Sequence, residues 1–506
     1  MTLSTQLKLN SPALWLGAAC LCLHLLTNSD YGVFRDELYF IICGRHLAFG
    51  YVDQPPMVPW IAAAAQSAFG VALTPLRLAP ALAMTTTVAL TCVYARLLGG
   101  GRYAQWLAGL CALFGPALLV DGLLLSTDML QPLTWLGCSL ALTRLAQTGD
   151  ERWWLAFGAC VGLSLTSKYL IAFYLIGLAV GVVATPLRKS LARPWIYAGA
   201  AIALALAAPN LGWQASHGWP FLEIGRVGSA GKNTAFSPLG FTAQQILMVG
   251  PVSAIVWGAG LFWFARPGAD ARLRAIPIAY FVMVVIFFSA HGKPYYLAPI
   301  YPTLFASGGI MWETWLRRPA FRAVAAGVIA IAGLAVLPMA LPVLTPESFV
   351  RYARALGMAP APMEHGAQSV LPQYFADMFG WREMAAEVAR VYRSLPESER
   401  ADAVFFGRNY GEAAAIDVYG PEYGGPQAIS GHNNYFLWGP RGFKGSTVIT
   451  VGDGPAALAK NFANVEVAGH IASRYAMPRE TDLPVYILRR PKRQLDELWS
   501  ALKHYD

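Results

Sequence analysis

Long apolar runs joined by short polar segments set the pattern of this chain. Runs at 11–27, 77–98, 103–120, 127–146, 153–167, 169–186, 195–211, 242–265, 275–290, 296–316 and 322–343 carry few charges. Each is near the length a helix needs to cross a bilayer, and some would be tilted or short, so together they predict about eleven transmembrane helices. Residues 56–69 are apolar but shorter, and predict a helix lying along the interface or partly inserted. After about residue 344 the pattern changes: apolar runs shorten and charges become regular. There, 381–394 has helical spacing, 402–406, 446–451, 465–467 and 485–488 read as strands, and 412–419 and 456–462 read as helices. Such alternation predicts a small α/β domain, with Gly and Pro at its turns. The expected fold class is therefore a polytopic α-helical membrane protein with a C-terminal soluble α/β domain. The expected domains are 1–344, with a large first outer loop at 28–76, and 345–506.

Composition agrees with this pattern. The 506 residues are 56% hydrophobic and 13% charged, more apolar surface than a soluble protein of this length would cover. The net charge of +9 raises nucleic acid as a partner. The basic residues, however, sit mostly in short loops between apolar runs, which argues against nucleic acid and for a membrane orientation. With the N-terminus and Lys8 in the cytoplasm, alternate loops are basic: Arg96 and Arg102; Arg144 and Arg152; Arg188, Lys189 and Arg193; Arg266, Arg272 and Arg274; Arg317, Arg318 and Arg322. The other side receives 30–72, 121–128, the neighbourhood of Lys168, 213–240, 291–296 and the C-terminal region. The seven cysteines all lie in the first third, mostly within apolar runs, and predict neither a zinc site nor a disulfide in the tail. Residues 14–26 have the length of a signal-peptide core but lack a small-residue cleavage site, so they read as an uncleaved first helix.

The unusual polar residues gather on the non-cytoplasmic side. Asp36 and Glu37 stand together in FRDELYF, directly after the first apolar run, and Asp53 precedes a Pro-Pro pair in GYVDQPP. Carboxylates so close to a membrane are costly to desolvate, which points to function; a polar loop acid capping a helix is the plain alternative. These two motifs, with STDMLQPLTW in the second outer loop and HGKPYYLAPIYP late in the membrane region, resemble the GT-C glycosyltransferases. The likeness is to the bacterial branch of the protein O-mannosyltransferase superfamily, which includes aminoarabinose transferases of lipid A and galacturonic acid transferases of lipopolysaccharide core. It covers about residues 10–345.

The resemblance implies roles. Asp36 and Glu37 match the acidic pair of such enzymes, where an inverting transfer needs a carboxylate to take the acceptor's proton. Asp36 is the expected base and Glu37 a structural or assisting partner. Asp53 falls where relatives carry an acid before Lys-Pro-Pro; Gln54 replaces that lysine, which removes a charge that could contact the donor phosphate and leaves Gln54 as a substrate-binding residue that can only hydrogen-bond. Asp53 with His291 offers two candidate ligands for a divalent ion, the single cofactor considered. Asp128 stands at the mouth of a helix, as a substrate contact or as an acid favoured by the helix dipole. Lys168, Lys293, Tyr295 and Tyr296 are expected at the donor phosphate, Lys293 and Tyr295 first, because cations and hydroxyls stabilise the charge of a leaving phosphate. A snorkelling lysine and an aromatic belt are their alternatives. His217 and Arg226 lie in an aromatic outer loop with Trp213 and Trp219, suited to substrate or to the membrane surface. Asn409, His432, Asn433, Asn434 and Trp438 in the tail offer an acceptor groove or ordinary turns.

The expected function is transfer of a monosaccharide from a polyprenyl-phosphate donor to a hydroxyl of a periplasmic glycan, lipid or protein. The expected location is the bacterial inner membrane, with the bilayer as partner and the C-terminal domain in the periplasm. No Gly-rich nucleotide motif is visible. A transporter or flippase is the alternative, since it too has many helices and buried polar groups. It would place ionisable residues near the midplane, often in paired repeats. An inactive scaffold displaying the tail is a third class.

Overall fold

The computed structural model describes residues 11–231, 236–358 and 369–506. Lys8, which anchors the orientation argument, lies outside the described residues, as do 232–235 of the 213–240 loop. The chain divides into two compact units: Met1–Ser29 with Thr74–Leu211 and Ala235–Val343, and Asp30–Leu73 with Gly212–Thr234 and Leu344–Asp506.

The first unit is helical. Among the described residues four helices are long and apolar enough to cross a membrane: Leu78–Leu97, Pro194–Ser216, Ala271–Ser289 and Pro319–Met339. Three further pairs are bent, Arg102–Leu113 with Pro116–Leu123 by 63°, Ile171–Ala184 with Pro186–Ala192 by 100°, and Pro238–Val249 with Pro251–Ala265 by 100°. The last corrects the continuous helix expected over 242–265. Gly250 takes φ 84°, and Pro251 has no N–H to continue the ladder, so the first helix stops and a second starts in a new direction. Counting each bent pair once gives up to seven spans by length and composition. Further helices, among them Gln131–Thr148, Trp153–Leu165 and Tyr301–Trp315, fall where apolar runs predict them. Helices Pro251–Ala265 and Tyr301–Trp315 meet backbone to backbone. A Cβ on Gly260 would lie 2.0 Å from the Leu304 carbonyl oxygen, and one on Gly308 would lie 1.9 Å from that of Val256, so both positions need glycine.

The second unit contains a five-stranded sheet of order β2-β1-β3-β5-β4. The strands are β1 (Ala403–Phe406), β2 (Ala428–Ile429), β3 (Thr447–Val451), β4 (Phe462–Ile471) and β5 (Leu483–Pro491). β1 pairs in parallel with β2 and β3, and β5 runs antiparallel between β3 and β4. Trp381–Ser394 is helical as its spacing predicts, burying Trp381, Met384, Ala385, Val388 and Val391 on one face. The helix expected over 456–462 is only the turn Pro455–Leu458, because Phe462 already pairs with Pro491 in the sheet. β2 and the helix Leu495–Leu502 had no counterpart among the expected elements. The first is two residues long, and the second lies against the tail through Trp499, stacked on Phe436 at 6.0 Å.

Candidate active site

Asp36 stands in the first turn of helix Arg35–Arg45, which follows the extended residue Phe34. Glu37 closes that helix start. It is fully buried, and its Oε2 accepts the Phe34 N–H at 2.9 Å, the acidic half of a capping box. Of the two roles expected for Glu37, this geometry is the structural one. Glu37→Gln keeps the accepting oxygen and is expected to leave turnover within about threefold, whereas Glu37→Ala costs about 1 kcal/mol of stability. Thermal unfolding in detergent, read beside turnover, checks both; a dead but folded Gln variant would return Glu37 to the chemistry.

Asp36 is different. Its side chain is 35% exposed, and its neighbours come from far along the chain. Tyr410 Oη donates to Asp36 Oδ1 at 2.7 Å, and Arg35 Nε reaches the same oxygen at 3.4 Å. The Arg35 guanidinium stands 5.5 Å from the Tyr410 ring centre. Burial opposes the Arg35 cation, but Tyr410, Asp377, Asp36 and Glu480 outweigh it and hold its pKa above the usual range. Burial also raises the Tyr410 hydroxyl well above its ordinary value, against the pull of Arg35, so Tyr410 stays a donor.

A second carboxylate lies on the same unit. Tyr39 Oη is 3.1 Å from Asp53 Oδ1 and 3.1 Å from Asn434 Oδ1. That amide oxygen already accepts the Val52 N–H at 2.7 Å, so the Tyr39 proton is better used on the charged Asp53. The Tyr39 oxygen accepts in turn from the Asn434 N–H at 3.2 Å. Burial, then Asp53, raises Tyr39 well above its ordinary pKa. Tyr39 and Tyr410 pack ring to ring at 4.7 Å, which links the Asp36 and Asp53 neighbourhoods. Gln54 is buried beside Asp53, and neither of its side-chain polar atoms has a hydrogen-bond partner among the described residues.

The aromatic loop around Trp213 and Trp219 joins this unit through a residue outside the expected set. Buried Gln214 donates to the Tyr51 carbonyl at 3.0 Å and accepts from the Phe221 N–H at 3.3 Å. His217 is exposed and stacks on Trp213 at 4.0 Å, with Nδ1 2.8 Å from the Trp213 carbonyl. Arg226 is exposed on helix Pro220–Gly231. Of the tail candidates, Asn409 caps helix Tyr410–Tyr419 by accepting the Glu412 N–H at 3.0 Å, Asn433 takes φ 47°, and Trp438 stacks on His46 at 4.4 Å. His432 packs on Tyr410, and Asn434 binds Tyr39 and Val52.

The first unit brings four other expected residues together. Lys168 Nζ lies 2.6 Å from Asp128 Oδ2, and 5.4 and 5.5 Å from the ring centres of Tyr295 and Tyr296. The two tyrosines meet edge to face at 4.8 Å. Asp121 is within electrostatic reach of both Asp128 and Lys168. Lys293 precedes the turn Pro294–Ile300 that presents the tyrosines, and acts on Tyr295 electrostatically. His291 is exposed, with φ 52°, and stacks on Phe236 at 4.7 Å. Among the described residues, no three or more His, Cys, Asp or Glu side chains gather as a metal would need.

Arg35, Tyr39, Gln214 and Tyr410 were absent from the expected set. Arg35 and Tyr39 flank the acidic pair in FRDELYF, a signal that proximity could have supplied. Tyr410 lies 374 residues beyond Asp36 and gave none.

Residues 53–213 match the family described as dolichyl-phosphate-mannose-protein mannosyltransferase. The lipid A galacturonosyltransferase RgtD of Rhizobium johnstonii is 26% identical over 396 residues, which cover 72% of this chain and 81% of the relative. The crystal structure of ArnT from Cupriavidus metallidurans in the apo state superposes with a TM-score of 0.63 at 16% identity, over 94% of this chain and 97% of ArnT. Its form bound to undecaprenyl phosphate gives 0.61 at 15% identity, over the same 94% and 97%. At such identities the structural likeness shows a shared fold.

Proposed function

We propose, on the premise that this chain is a GT-C glycosyltransferase in a multi-pass membrane setting, that it moves one sugar from a polyprenyl phosphate to a hydroxyl of a lipid A-type acceptor. The carrying observation is Asp36, a half-buried carboxylate that, among the described residues, Tyr410 and Arg35 hold through Oδ1 alone. The lipid A relative supports the acceptor class, and the undecaprenyl phosphate complex of the fold neighbour supports the donor class. The active side is the periplasmic face of the bacterial inner membrane, as the basic loops argue.

In this reading the acceptor oxygen attacks the anomeric carbon from the face opposite the phosphate. Its proton passes to Asp36 Oδ2. The bond from the anomeric carbon to the phosphate oxygen breaks, and its electron pair leaves with the polyprenyl phosphate. Configuration therefore inverts. Lys293 and the Tyr295 hydroxyl meet the developing charge. Lys168 serves by holding Asp128.

The test offers purified protein three radiolabelled polyprenyl-phosphate donors, galacturonosyl, aminoarabinosyl and mannosyl, with a lipid A extract. Label is expected in the lipid A fraction from one of them. Transfer from nucleotide sugars but from none of the three lipid donors would overturn the proposal.

A further inference from the structure

The tail supplies Tyr410, and its surroundings hold that side chain tightly. Asn409 caps the helix that begins at Tyr410. Gly411, the next residue, lets this helix approach helix Arg35–Arg45: a Cβ there would lie 2.5 Å from Arg35 Cγ. Tyr39 packs against the Tyr410 ring at 4.7 Å and His432 at 4.8 Å. The Tyr410 backbone N–H donates to His432 Nδ1 at 3.3 Å. That bond leaves the His432 proton on Nε2, where it faces the Asp506 carboxylate. The strand-like bridge between His432 and His504, with His504 N–H donating to the Gly431 carbonyl at 3.0 Å, pins this loop from behind.

Among the described residues every hydrogen bond to the Asp36 carboxylate falls on Oδ1. A carboxylate free to rotate presents either oxygen to an incoming hydroxyl. One fixed at Oδ1 presents Oδ2 in a single orientation, and preorganisation of that kind lowers the cost of reaching the transition state. A hydrogen bond from a neutral phenol also leaves the carboxylate charged, whereas an arginine paired through both nitrogens would occupy both oxygens. Arg35 touches only the oxygen that Tyr410 already holds.

We propose that Tyr410 is a positioning residue for the transfer, contributed by the C-terminal segment, which orients Asp36 so that Oδ2 receives the acceptor's proton. The tail is then part of the active site and not only a platform for acceptor binding. The inference rests on the reading of Asp36 as base.

The test is a double-mutant cycle in the full-length protein, with Tyr410→Phe, Asp36→Asn and both together. Tyr410→Phe keeps the ring packing and removes the hydroxyl. Its kcat is expected to fall about 10- to 100-fold, the effect of losing a hydrogen bond to a charged group, with KM for the donor within threefold. In the Asp36→Asn background the same change should cost less than about twofold, because the charge it orients is gone. A Phe variant that turns over normally while Asp36→Asn is inactive would overturn the positioning role and leave the base assignment standing. Near-normal turnover of Asp36→Asn would overturn the base assignment itself. An undiminished loss from Tyr410→Phe in the Asp36→Asn background would show that Tyr410 acts elsewhere. If the Phe variant does not fold, 3-fluorotyrosine at position 410 replaces it. That residue keeps the ring and hydroxyl but alters the donor, so kcat should change by about twofold or more at constant KM, and an unchanged kcat would overturn the proposal.

Discussion

Asp36→Asn is expected to lower turnover by about two to four orders of magnitude while leaving the protein folded. That range corresponds to about 3–5 kcal/mol of barrier, the usual size of a positioned general base. The substitution is mild in structural terms. Asparagine has the same shape, and its carbonyl oxygen can still accept the Tyr410 hydroxyl now bound to Oδ1. It removes only the capacity to take a proton. Donor affinity should therefore change by less than about fivefold, since a base acts on the acceptor and not on the lipid phosphate. Single-turnover transfer from a labelled donor, with donor binding measured separately, reads both quantities. Near-normal transfer by folded Asp36→Asn would move the base elsewhere. Glu37 would be a poor replacement, because it is fully buried and engaged in capping Phe34. Asp53, beside Tyr39, would be the better one.

Much of the fold was legible because helix-length apolar runs carry their own evidence. Leu78–Leu97 and Trp153–Leu165 lie almost where hydrophobicity alone sets them. The break at Gly250–Pro251 was legible in principle, since the dipeptide combines a flexible residue with one that cannot donate. Apolar character on both sides hid it. In the tail, the periodicity of Trp381–Ser394 gave a helix, while β2 is too short to show any alternation. The site divides in the same way. Asp36 was visible because a charge beside a membrane run is conspicuous. The partner that orients it was not, because Tyr410 reaches Asp36 through tertiary packing, and nothing in NYGEAAAI marks that contact. The Lys168–Asp128 pair sat between these cases: both residues stood out singly, but 40 residues of sequence concealed that one neutralises the other.

That pair carries the second large effect. Lys168→Met is expected to destabilise the protein, because it leaves Asp128 without its cation and within reach of Asp121. Removing one partner of a fully buried ion pair costs about 3–5 kcal/mol. The side chains here are 23% and 21% exposed, so water offsets part of that loss and about 1–3 kcal/mol is the reasonable expectation. Tyr295, proposed at the donor phosphate, is within electrostatic reach of the uncompensated Asp128, so turnover should fall with stability, by about tenfold or more. The informative variant is the double one, Lys168→Met with Asp128→Leu. Replacing both charges by apolar groups of similar size is often neutral. The double variant is expected to recover the unfolding temperature of the parent within a few degrees and most of its turnover. Recovery of stability without turnover would instead put the Lys168 charge on the donor phosphate, and Asp128 would then be the residue that holds it there.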